Sequence, residues 1–146
     1  MAERTKIALV STSDRKDGVE RAIDLLGVNP AEGREVFLKP NFNTADEFPG
    51  STHNDTLIAM IEKLKKMGSK KITVGDRSGP VSTASVLKDK GIQDICDKHD
   101  VELINFEELP DTQWVHIKPE LCSWRNGFFF ARPVIDSECV VTSGCL

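Results

Sequence analysis

The chain has 146 residues, of which 39% are hydrophobic and 29% charged, with a formal net charge of −4. That length suits one domain with a core of its own, and the composition excludes a disordered polypeptide. The mild negative charge, with no basic run interleaved with aromatics, argues against a nucleic-acid partner, whose phosphates need a basic face.

Met-Ala-Glu-Arg-Thr-Lys leads into the apolar run Ile7–Val10. It is too short for a signal core and no small-residue cleavage site follows, so a cytoplasmic location is expected. No apolar stretch approaches a membrane span, so no membrane partner is expected. Ile7–Val10 is the first expected strand. A helix follows, opening at Asp17 with Glu20 three residues on, carrying Val19, Ile23 and Leu26 on one face and stopping at Gly27. Val36–Lys39 and Ile72–Val74 are the next strands. Ile7–Val10, Val36–Leu38 and Ile72–Val74 run continuously rather than alternating, as strands covered on both faces do. Between the second and third strands a helix opens at Thr52 with Asp55 three residues later, presents Leu57, Met60, Ile61 and Leu64, and ends at Lys65-Lys66-Met67-Gly68.

The next helical stretch is split by Gly91 into Ser85–Lys90 and Ile92–His99, followed by a strand at Val101–Ile104. The alternation predicts an α/β fold: a mostly parallel sheet with helices on both faces. Trp114–Ile117 and Phe128–Phe130 flank a stretch containing Asn126-Gly127, a dipeptide that favours a tight hairpin, so an edge β-hairpin is expected. Pro133 to Glu138 turns the chain into a last strand, Cys139–Thr142. No helix follows to cover it. The expectation is a single domain over residues 1–146 that is the truncated N-terminal part of a longer protein, lacking a C-terminal region or partner subunit, with apolar surface left open near Val140 and Val141.

In an open parallel sheet, ligands bind beyond the carboxyl ends of the strands. The segments that leave the strands are polar: Ser11 to Arg15, Lys39-Pro40-Asn41-Phe42-Asn43, Gly75-Asp76-Arg77-Ser78-Gly79 and Thr142-Ser143-Gly144. A lysine leaving a buried strand is costly unless it meets an anion or water. Asn41 and Asn43 add amide donors and acceptors. Lys39, Asn41, Asp76 and Arg77 are expected to converge on one concave edge, with Asn43 and Ser78 nearby. The structural alternative is that Lys39 or Arg77 is consumed by Asp76 in an ion pair. Neither a Walker loop nor a G-x-G-x-x-G fingerprint is present, so nucleotide binding has no motif. His53, His99 and His116 read as structural or solvated, and Asp46-Glu47 as a solvated loop. Cys96, Cys122, Cys139 and Cys145 include no C-x-x-C pair, so no metal or iron–sulfur cluster is expected within the chain. Cys96 and Cys139 read as buried thiols, whereas Cys145 is not assigned to the core.

Lys39-Pro40-Asn41-Phe42-Asn43, a Thr-led helix, Val74-Gly75-Asp76-Arg77-Ser78-Gly79 and Leu87 to Gly91 followed by Ile92 together resemble the domain of unknown function 362 family, over nearly the whole chain. The resemblance implies a ligand site around Lys39, Asn41, Asn43, Asp76, Arg77 and Ser78, without a defined reaction. Family members commonly continue into a Lys-x-His segment and a further α/β region, and some carry a ferredoxin-like iron–sulfur module. The family is distantly similar to the N-terminal domain of lactate racemase-like proteins, which bind a nickel-containing cofactor, but that similarity carries no residue across. Three functions remain open. In the first, an enzyme domain holds a small anionic molecule through Lys39 and Arg77, with Asp76 orienting a cation or acting as a base. The second is a redox component serving an iron–sulfur module outside this chain, and the third a non-catalytic binding module.

Overall fold

The computed structural model describes residues 5–120 and 123–144. Asp14 caps the first helix, α1 (Arg15–Leu26), by accepting from the Asp17 N–H at 3.0 Å, and Gly27 ends it at φ 64°. Strand β1 (Glu35–Lys39) precedes α2 (Asn54–Lys66), whose cap is His53 rather than Thr52: the imidazole Nδ1 accepts from the Asp55 N–H at 3.1 Å. Then come β2 (Lys71–Asp76), α3 (Thr83–Asp89), α4 (Ile92–Lys98) and β3 (Glu102–Asn105), with Gly91 at φ 63° separating the two short helices. Two 3-10 turns lead to the antiparallel pair β4 (Trp114–Ile117) and β5 (Phe128–Ala131), followed by α5 (Arg132–Ile135) and β6 (Cys139–Thr142). The hairpin is present, but residues 118–127 connect its strands. Asn126-Gly127 closes a turn in which the Gly127 N–H donates to the Trp124 carbonyl at 2.9 Å.

The main sheet is parallel throughout, in the order β3-β2-β1-β6. Alternation along each strand divides its side chains between two faces. Val36, Leu38, Ile72 and Val74 pack under α2, α3 and α4, where they meet Leu57, Ile61, Val86, Leu87, Ile92 and Cys96. Phe37 takes the opposite face with Phe106 and Ala131, joined by Ile104, Trp114 and Val134. The three core helices therefore lie on one face, and the hairpin with the one-turn α5 covers the other. Gly75 is necessary on that second face, because a Cβ there would sit 2.7 Å from Phe37 Cζ and 2.9 Å from Phe106 Cε1.

Helix α1 contributes no buried residue to the core. It is held against α2 by charge: Lys16 to Glu62 at 2.7 Å, Lys66 to Glu20 at 2.6 Å, and Lys63 to Asp24. The Lys16 ammonium holds the Glu62 carboxyl below its ordinary range, chiefly by hydrogen bonding to it.

The expected strand at Ile7–Val10 is not one. The run pairs with no strand among the described residues, with Ile7 89% and Leu9 94% exposed. β1 is flanked by β2 on one side and β6 on the other, so the place beside β1 is filled. The preceding residue is drawn to α1 instead, where Lys6 Nζ donates to the Leu26 carbonyl at 3.2 Å. Val140 on β6 is 46% exposed, while Val141 packs against the core.

Candidate functional site

The segments leaving β1 and β2 are clamped to each other by buried polar groups. Asp76, 3% exposed at the end of β2, places Oδ1 2.6 Å from Lys39 Nζ, while its Oδ2 accepts from the Phe42 N–H at 2.7 Å. Ser78, also buried, donates from Oγ to the Phe42 carbonyl at 2.6 Å, and its N–H donates to Thr83 Oγ1 at 2.9 Å. Asn43 Oδ1 accepts from the Gly79 N–H at 3.1 Å. A Cβ at residue 79 would lie 2.8 Å from that same oxygen, so glycine is what permits the approach.

A second set of bonds ties β1 to β6. Thr52 Oγ1 accepts from the Asn41 N–H at 2.9 Å and donates to the Ser143 carbonyl at 3.2 Å. The Asn41 carbonyl in turn accepts from the Thr52 N–H at 2.8 Å and from Ser51 Oγ at 3.1 Å. Each of these polar groups would be costly if buried unpaired, so the strand exits are held by mutual satisfaction.

The clamp narrows the chemistry available to each residue. With both carboxylate oxygens engaged, Asp76 orients its neighbours. The ammonium of Lys39 is 41% exposed and also donates to the Pro40 carbonyl at 3.2 Å. An ammonium carries three N–H donors, so one remains for water or a ligand. The side chain of Asn41 and the Nδ2 of Asn43 make no hydrogen bond among the described residues.

Of the six residues expected to meet, Lys39, Asp76, Ser78 and Asn43 are joined directly or through Phe42 and Gly79, whereas the backbone of Asn41 bonds to Ser51 and Thr52 instead. Arg77 departs. Successive residues of a strand point to opposite faces; Asp76 continues the row of Ile72 and Val74, so Arg77 turns to the face of Phe37. It lines a cleft of about 770 Å³ with Asp111, Trp114, Trp124 and Phe128. Among the described residues it makes no ion pair or hydrogen bond.

The sequence reading missed Ser51, Thr52 and Thr83 as ties between strand exits. All three are buried polar residues. Their signal is weak, because a threonine ahead of a helical pattern reads first as a cap. The aromatic cleft was also missed, although its walls come from the densest aromatic stretch of the chain, between Trp114 and Phe130.

Among the described residues, no group of three or more His, Cys, Asp or Glu side chains is close enough to hold a metal ion. The buried Cys96 thiol is pushed up to about 11 by desolvation and then by the neighbouring Asp97 charge, whereas Cys139 is half-buried. Cys122, Cys145 and Leu146 lie outside the described residues. No helix among the described residues is long and apolar enough to cross a membrane.

No curated protein and no solved structure matches the chain. Residues 36–146 match the family model described as Domain of unknown function (DUF362). That span runs from β1 through β6 and holds both clamped segments, and the chain belongs to the DUF362 family.

Proposed function

We propose that this domain binds a small anionic molecule at the carboxyl edge of its sheet, with Lys39 donating to an anionic oxygen and Asn41 and Asn43 positioning the rest of the ligand. Asp76 and Ser78 then act as positioning residues. One observation carries the reading: a buried carboxylate fixes a half-exposed ammonium at the end of a central strand while one of its donors stays open. The place agrees with the general rule for open α/β sheets, whose ligands sit outside the carboxyl ends of the strands. Arg77, on the other face of β2, is outside this reading.

The test is a titration of the folded protein with inorganic phosphate and with malonate, read by backbone amide chemical shifts. Saturable shifts confined to the amides of Asn41, Phe42, Asn43 and Gly79 are expected. They should be lost in Lys39→Met and partly restored in Lys39→Arg, with far-ultraviolet circular dichroism confirming that both variants fold. Equal shifts in Lys39→Met and the parent overturn the proposal, as does the absence of saturable shifts in the parent.

A further inference from the structure

We infer that the cleft between Arg77 and the hairpin is a separate binding site, suited to a flat aromatic monocarboxylate. It lies on the face of β2 opposite Asp76 and does not depend on the Lys39 reading. Its volume of about 770 Å³ falls within the ~300–1,000 Å³ of small-molecule sites. The walls are aromatic: Trp114, Trp124, Phe128 and Phe129.

Those walls are braced rather than loose. Trp114 meets Phe106 edge-on at 6.3 Å, and Phe106 stacks on the core residue Phe37 at 5.7 Å. Trp124 meets Phe128 edge-on at 6.0 Å. Gly127, at φ 73°, brings the connecting segment back against the Ile117 carbonyl, where a side chain would collide. Even so, Trp124 and Phe129 are each 65% exposed, and a planar apolar ring laid against them would remove that surface from water.

Charge then selects among planar ligands. Arg77 reaches the cleft from the end of β2 with its guanidinium unpaired among the described residues. A guanidinium presents parallel donors that match the two oxygens of a carboxylate. Asp111 lines the same cleft without pairing to Arg77. Its negative charge opposes a second anionic group, which favours a monoanion over a dicarboxylate. Few polar groups on a mostly apolar wall is the arrangement that orients a small ligand.

Both tryptophans of the chain line this cleft, so intrinsic emission reports on it directly. The intact chain would be titrated with 4-nitrobenzoate, a ring that quenches tryptophan and carries one carboxylate. Controls are 4-nitrobenzyl alcohol, which keeps the ring without the charge, and hexanoate, which keeps the charge without the ring. Calorimetry of 4-nitrobenzoate gives an independent affinity. Saturable quenching is expected, with 4-nitrobenzoate binding at least tenfold more tightly than either control. Arg77→Gln should weaken the carboxylate tenfold or more and leave the alcohol unchanged, while Trp124→Ala should weaken both nitro compounds. Quenching by 4-nitrobenzoate should persist in saturating inorganic phosphate, so failure here and failure of the phosphate titration are distinguishable. Linear, collisional quenching that is equal for acid and alcohol overturns the inference, and so does an Arg77→Gln variant with parental affinity for 4-nitrobenzoate.

Discussion

Asp76→Asn tests whether the strand-end clamp supports the fold. The carboxylate uses one oxygen for Lys39 Nζ at 2.6 Å and the other for the Phe42 N–H at 2.7 Å. An asparagine of the same shape offers one oxygen and one NH2, so one of those two donors must face another donor. The loss is at least one charge-assisted bond in a buried setting, about 1.5–3 kcal/mol. Lys39 softens the effect, since its half-exposed ammonium can turn to water. Phe42 cannot turn, because its ring is buried and its carbonyl is held by Ser78 Oγ at 2.6 Å. With a urea dependence of roughly 1–3 kcal/mol per molar for small proteins, the unfolding midpoint should fall by roughly 0.5–3 M. The assay is equilibrium urea unfolding followed by circular dichroism at 222 nm, at about neutral pH. A variant whose midpoint stays within about 0.3 M of the parent refutes the reasoning, for the carboxylate would then be free for chemistry and not bound into the fold.

Two further outcomes follow from particular contacts. The Cys96 thiol, raised to about 11 from an ordinary 9.0 by burial, stays protonated in the native state while the unfolded chain ionises from about pH 9 upward. Its contribution to stability is therefore full below pH 9 and is lost as pH rises from 9 to 11; native protein at pH 8 should resist iodoacetamide at Cys96, and rapid alkylation there without unfolding would contradict the burial. Because α1 is fastened to α2 by the Lys16–Glu62, Lys66–Glu20 and Lys63–Asp24 pairs and buries no residue of its own, screening should loosen it: in 1 M sodium chloride, where the Debye length is ~3 Å, hydrogen exchange of α1 amides should quicken several-fold while β1 and β2 hold their protection, and salt-independent exchange of α1 would speak against a charge-held helix.

Much of the main sheet was legible because its central strands are covered on both faces. Val36-Phe37-Leu38 and Ile72-Thr73-Val74 read as strands from their composition, and β1 and β2 contain them. Cys139–Thr142 falls on β6 residue for residue. The break at Gly91 was visible as a helix stop, and the hairpin as two apolar runs around a turn dipeptide. Helix starts were less legible: Thr52, read as the capping start of α2, lies one residue ahead of the actual cap His53 and ties β1 to β6. A hydroxyl that caps a helix and one that joins two strand exits have the same local sequence.

The sequence by itself determined which segments carry a strand or helix period, and that polar residues crowd the strand exits. Only the tertiary structure decided how the segments compete. Ile7–Val10 has the composition of a strand, yet the place beside β1 goes to β6, which pairs Val36 with Cys139 across most of the chain. Asp76 and Arg77 are neighbours in sequence, but the two-residue period of a strand sends one into the Lys39 clamp and the other into the aromatic cleft. Local patterning sets what a segment can bury; which edge it pairs with, and which face its last residues meet, depend on chain brought in from far away, because pairing and burial are satisfied only once and each partner that arrives removes the place from the others.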